Sequence, residues 1–155
     1  MFEYNDQGKE IHSYLASEDY FFETYYEFNQ DNRLIYSKGI FNDNVTESYY
    51  EYDDKGLLKS RSSSDGSFVK YEYDTEGRKI KISSSINGET FYEYDGDNLI
   101  HEFNELYEIF REYDECNNVT YYYYKPVKGS TNENWTEYVY WDNDSIKKKI
   151  VYRRI

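Results

Sequence analysis

The sequence predicts an all-β protein: an antiparallel meander of about 12–14 short strands, built from tandem hairpin repeats. Three observations predict it. A short aromatic-Glu-aromatic-Asp/Asn motif recurs along the chain. Turn-forming residues separate runs of six to ten strand-forming residues throughout. Tyrosine alone supplies 22 of the 155 residues, and tyrosine suits a half-buried pleated surface. The same rings argue against disorder, because disordered chains are poor in aromatics.

The repeats are explicit. Copies begin at Phe2 (Phe2-Glu3-Tyr4-Asn5), Tyr26 (Tyr26-Glu27-Phe28-Asn29), Tyr50 (Tyr50-Glu51-Tyr52-Asp53), Tyr71 (Tyr71-Glu72-Tyr73-Asp74) and Tyr92 (Tyr92-Glu93-Tyr94-Asp95). A weaker sixth copy is Arg111-Glu112-Tyr113-Asp114, and a degraded seventh is Tyr138-Val139-Tyr140-Trp141-Asp142. Each unit holds two turns. The first follows the motif as Asp-x-x-Gly, where the carboxylate bonds local backbone and glycine supplies a positive φ. The second lies mid-repeat, as in Asp65-Gly66 and Asn87-Gly88, both two-residue hairpin signals. Consecutive hairpins need no crossover, so the strands should follow one another in one antiparallel sheet. Residues 1–155 are expected to form a single domain of this kind.

Alternation across a strand sends both rings of Tyr-Glu-Tyr to one face and the glutamate to the other. An aromatic face and an acidic face are therefore expected. In the Tyr50 unit a three-residue loop pairs Tyr52 with Leu58 and Glu51 with Lys59. In the Tyr71 unit a four-residue loop pairs Tyr73 with Ile80, Tyr71 with Ile82 and Glu72 with Lys81. A sheet this long twists, and it should curl into a half-shell or an open barrel-like roll. The stretch from Glu105 to Asp114 has apolar residues at helical spacing, but its place in the repeat argues for strand. Pro126 is expected to open the longest loop, to Asn134. The lysines and arginines of 147–154 would blunt an edge strand with charge.

The net charge of -13 disfavours nucleic acid and anionic membrane as partners, and steers basic partners towards the chain. No apolar run reaches the length of a bilayer span, and the first residues lack the pattern of a signal peptide. A cytoplasmic location is expected. The single cysteine, Cys116, permits no internal disulfide. His12 and His101 lie far from it in sequence and show no zinc spacing. Serines beside turns, scattered carboxylates and Asp142-Asn143-Asp144 are ordinary turn and surface chemistry, so no catalytic residue, cofactor or metal site is assigned.

The Tyr-x-Tyr-Asp-x-x-Gly motif at roughly twenty-residue spacing, clearest from Tyr50 to Ile100, resembles the RHS/YD repeat family. The resemblance implies a β-strip of the kind that spirals into a shell around a toxic cargo in very large bacterial toxins. This chain departs from that pattern: seven units cannot enclose a cargo domain, and no Asp-Pro-x-Gly-Leu signature is present. It looks like a small free-standing relative. That neighbourhood points to a non-enzymatic immunity protein that binds and blocks a cognate basic toxin domain, such as a nuclease. Glu27, Glu51, Glu72, Glu93 and Glu112, with Glu3, are the candidate partner-binding residues. On alternate strands they would stand about 9–10 Å apart and meet the lysines and arginines of a partner. A monomer is expected. The alternative is a carbohydrate- or peptide-binding module using Trp135, Trp141 and the Tyr121–Tyr124 run.

Overall fold

A computed structural model describes residues 1–17, 20–127, 133–140 and 146–154. They form fourteen strands and no helix. In chain order these are β1 (Phe2–Tyr4), β2 (Glu10–Ala16), β3 (Phe21–Phe28), β4 (Leu34–Phe41), β5 (Asn44–Tyr52), β6 (Leu58–Ser63) and β7 (Phe68–Tyr73). They continue with β8 (Lys79–Ser84), β9 (Gly88–Asp95), β10 (Asn98–Asn104), β11 (Tyr107–Tyr113), β12 (Val119–Pro126), β13 (Glu133–Tyr140) and β14 (Ile146–Arg154). Every strand is hydrogen-bonded to its chain neighbours in the order β1 to β14, so the sheet is the expected antiparallel meander. The helical spacing of 105–114 is overruled: Tyr107–Tyr113 is a strand, because pairing on both sides satisfies its backbone.

The motif turn is one structure used five times. Asp53 Oδ1 accepts hydrogen bonds from the N–H groups of Lys55, at 3.0 Å, and Leu57, at 2.8 Å. The Asp53 and Gly56 amides bond to the carbonyls of Leu57 and Asp53. Three residues are thus enclosed, and the third takes the left-handed conformation, here Gly56 at φ 81°. Asn5, Asn29, Asp74 and Asp114 repeat both side-chain bonds, to the amides two and four residues on. Asn32 and Asn117 replace glycine at the left-handed position, at φ 60° and 62°. Asparagine tolerates that region better than most residues. The fifth copy differs. Asp95 pairs directly with Asn98 across a two-residue loop opened by Gly96.

A β-bulge sits beside these turns, between Glu3 and Tyr4, Glu27 and Phe28, Glu51 and Tyr52, and Glu112 and Tyr113. It corrects the expected register. Tyr52 does face Leu58, but Glu51 faces Ser60, because Lys59 is the extra residue. In the Tyr71 unit the loop closes at Asp74 and Arg78, so it encloses three residues and not four. Glu72 still meets Lys81, at 3.8 Å. Asp65-Gly66 also lies in a three-residue loop, closed by Ser63 and Ser67, where a two-residue turn was expected. Pro126 does not open a loop; it ends β12, opposite Tyr107. Residues 128–132, Trp141 and the Asp142–Asp144 turn lie outside the described residues, as do the side chains of Lys147 and Lys148.

The chain divides into two compact units, Met1–Tyr71 with Ser84–Ile86, and Glu72–Ser83 with Asn87–Ile155. Each has a ring face carrying the motif tyrosines. In the first unit small residues fill the middle of that face, in the rows Ser13–Thr24–Gly39–Thr46 and Ser37–Ser48–Ser63. Thr24 and Ser48 are buried there, at 8% and 4% exposure. In the second unit Ile109 and Thr136 are buried, and Glu102 forms a half-buried ion pair with Arg111 at 3.0 Å. Ile109 is the only buried apolar side chain among the described residues. The sheet therefore rests on half-buried rings, not on a sealed core.

Successive repeats lock through those rings. The Tyr52 hydroxyl donates to the Leu34 carbonyl, Tyr94 to that of Lys79 and Tyr113 to that of Leu99, at 2.8–2.9 Å. The residue closing one motif turn lies over the second ring of the next motif. Lys9 covers Phe28 at 5.8 Å, Arg33 covers Tyr52 at 5.7 Å and Arg78 covers Tyr94 at 5.0 Å. Each such contact contributes about 0.5–1 kcal/mol. Arg33 also packs against Gly56, where a methyl group would overlap its guanidinium. Asp53→Ala should cost about 2 kcal/mol for its two lost bonds, and Gly56→Ala about 1–2 kcal/mol for its left-handed φ alone. Asp53→Asn should be near neutral, as Asn5 and Asn29 already do this work. Urea unfolding of the three variants checks the order.

Candidate protein-binding face

The second face of each unit carries the glutamates. Glu3, Glu27, Glu51, Glu72, Glu93 and Glu112 are all exposed and lie on β1, β3, β5, β7, β9 and β11. Within a unit they do not make a straight row. Across the sheet Glu3 aligns with His12 and then Tyr25, while Glu27 lies two residues further along β3. Likewise Glu93 aligns with His101 and Phe110, while Glu112 lies two residues beyond Phe110. The glutamates thus step diagonally. One step combines two strand spacings and one pleat, about 12 Å, longer than the 9–10 Å of a straight row.

A bulge explains what Glu3, Glu27, Glu51 and Glu93 face. It aligns the carboxylate with a residue of the next strand, which in turn aligns with a side chain of the strand after. The resulting triads are Glu3–His12–Tyr25, Glu27–Tyr36–Tyr49, Glu51–Ser60–Lys70 and Glu93–His101–Phe110. His12 lies 3.6 Å from Glu3 and stacks on Tyr25 at 4.5 Å. Ser60 donates to Glu51 at 2.8 Å. His101 lies 3.0 Å from Glu93 and stacks on Phe110 at 4.2 Å. Four of the six glutamates, Glu3, Glu51, Glu72 and Glu93, therefore touch a polar partner on the next strand, and Lys81 partly neutralises Glu72.

This face is as aromatic as it is acidic, which the expected division into an aromatic and an acidic face missed. The signal was present in adjacent ring pairs, Tyr25-Tyr26, Tyr49-Tyr50 and Phe91-Tyr92. Alternation must place one ring of each pair opposite the motif tyrosines. The Tyr121–Tyr124 run divides as expected, with Tyr121 and Tyr123 on this face and Tyr122 and Tyr124 on the ring face. Trp135 is stacked by Tyr152 at 5.2 Å, so that side of its ring is covered. This weakens the case for a sugar-stacking platform there.

Several hydroxyls are tied to carboxylates. Tyr36 donates to Glu47 at 2.7 Å, and that bond, with burial, pushes its pKa up to about 12. Burial first, then the bond to Glu102, does the same for Tyr107. The Tyr25 hydroxyl, and next His12, hold the Glu23 carboxyl below the usual range. A tyrosine whose pKa is higher when folded contributes stability below its unfolded value, about 10, and loses it as pH rises through the folded one. Stability should therefore fall between about pH 10 and the folded value near 12. Tyr36→Phe and Tyr107→Phe should each flatten that slope, read from denaturant midpoints across the range.

Residues 52–90 match the family model described as RHS Repeat. A search of curated protein sequences returns no match. Among solved structures, the crystal structure of TcdB2-TccC3-Cdc42 superposes with a TM-score of 0.71 at 16% identity, covering 97% of this chain. The structure of the Photorhabdus luminescens Tc holotoxin pore carrying the TccC3-D651A mutation gives 0.75 at 12% identity, covering 99%. The chain spans 9% of the length of each of those chains. At these identities the likeness is one of fold: the hairpin meander described above is the architecture those chains share with it, and the RHS Repeat match covers residues 52–90.

Proposed function

We propose that this RHS-repeat chain is a non-enzymatic binding module that captures a basic protein, and that its partner is a bacterial toxin domain which it blocks as an immunity protein. The observation that carries the reading is the diagonal of exposed glutamates on a chain of net charge -13. Glu3, Glu27, Glu51 and Glu112 each stand beside a bulge and a motif turn. Regular negative charge on the face of each unit attracts lysine- and arginine-rich surfaces, and complementary fields raise association rate and specificity. A nuclease domain is the favoured partner class, because its own cleft must be basic to hold nucleic acid. Covering that cleft would be enough for inhibition. Such a role belongs in the cytoplasm, where a toxin would meet its target.

The fold likeness to TcdB2-TccC3 assemblies supports a protein-binding strip in general, and the immunity role is the finer reading built on it. Mixing the full chain with a purified basic nuclease domain should give a Kd that weakens about tenfold or more between 50 and 300 mM salt. Glu27→Gln, Glu93→Gln and Glu112→Gln combined should reduce the association rate most. Binding that ignores both salt and these substitutions would contradict the electrostatic basis.

A further inference from the structure

The second unit carries one row of aromatic side chains that the glutamate pattern does not require. Across β10 to β14 the aligned residues on the glutamate face are His101, Phe110, Tyr123, Trp135 and Tyr152. Ring centroids are 4.2 Å apart for His101 and Phe110, 6.1 Å for Phe110 and Tyr123, and 5.2 Å for Trp135 and Tyr152. The planes are inclined by only 11–23°. Phe103 and Phe91 extend the stack beside His101. Stacked in this way, the rings cover one another's faces and turn their edges outward. Phe110 remains 36% exposed and Tyr152 38%. Five strands at about 4.8 Å make a ribbon roughly 19 Å long.

A second row runs beside it, one pleat away, through Glu112, Tyr121, Glu137 and Ile150. Glu112 and Glu137 are exposed, stand two strands apart, about 10 Å, and make no ion pair among the described residues. An apolar ribbon thus lies parallel to a carboxylate row about 7 Å away. The stacked rings steady the unit, but their outward edges beside carboxylates that make no ion pair among the described residues also match one kind of ligand.

We propose that this double row docks an extended basic segment of a partner protein, one in which apolar and cationic side chains alternate. Running across the strands between the rows, such a segment sends its side chains alternately to either side. Apolar groups then settle on Phe110, Tyr123, Trp135 and Tyr152. Lysine or arginine side chains reach Glu112 and Glu137. The proposal rests on the reading of the chain as a capturer of basic proteins, and it names where and by what chemistry capture occurs.

Two ten-residue peptides of equal charge separate the contributions, one alternating lysine with valine and the other lysine with glycine. Calorimetry on the full chain at 150 mM salt should find the lysine–valine peptide binding at least tenfold tighter. In wild-type protein its amide shift changes should cluster on β10 to β14. Phe110→Ser with Tyr152→Ser should abolish that advantage and leave the lysine–glycine affinity as it was. Glu112→Gln with Glu137→Gln, both surface substitutions, should weaken both peptides. Equal affinity of the two peptides, or shift changes elsewhere, would overturn the docking row. If the lysine–glycine peptide then still binds with steep salt dependence, general capture of basic partners stands without it. If neither peptide binds, both readings fall.

Discussion

A single side-chain oxygen at each motif turn organises the rest of the fold. Asn5, Asn29, Asp53, Asp74 and Asp114 each hold two backbone amides that a tight reversal would otherwise leave bare. An unpaired amide away from water costs as much as a lost hydrogen bond. Holding both fixes the loop at three residues and forces the left-handed residue that ends it. The bulge beside the turn then sets which residue faces the motif glutamate. The diagonal of glutamates and the triads behind them follow from that one register choice.

The second consequence is stability without a sealed interior. The motif rings are at most half-buried, Phe2 and Tyr4 being exposed, and the four buried residues among those described cannot account for fourteen strands. Cohesion comes instead from contacts that repeat from unit to unit. A tyrosine hydroxyl reaches the carbonyl of the preceding repeat, and a lysine or arginine lies over its ring. Each contribution is small, but it recurs, and stability in repeat architectures is close to a sum of such neighbour terms. Tyrosine serves here because one end of it packs while the other bonds. Phenylalanine at Phe28 keeps the cation contact from Lys9 but has no hydroxyl to donate.

Much of this was legible in the sequence, for physical reasons. The Asp-x-x-Gly turns are local, and their chemistry lies within five residues. Strand count and order follow, since hairpins in series leave little topological choice. What escaped was nonlocal or one residue deep. Lys59 is an unremarkable lysine in sequence, and only pairing makes it the bulged residue that moves Glu51 from Lys59 to Ser60. Pro126 reads as a loop opener, yet it lies at a strand end, where its missing amide costs little. The ring ladder from His101 to Tyr152 needs five strands in register before it exists. The candidate glutamates were readable as a set, but their diagonal arrangement was not, because it depends on the bulges.

Amide hydrogen exchange tests the central constraint most directly. The amides of Lys9, Arg33, Leu57, Arg78 and Asn118, each the fourth residue after a motif Asn or Asp, bond to that side chain at 2.8–2.9 Å. All five should be protected well beyond their intrinsic rates, and replacing Asp53 by alanine should deprotect Leu57 before the neighbouring strands. Exchange of these five at unprotected rates, with the strands still protected, would show that the sheet holds together without the turns.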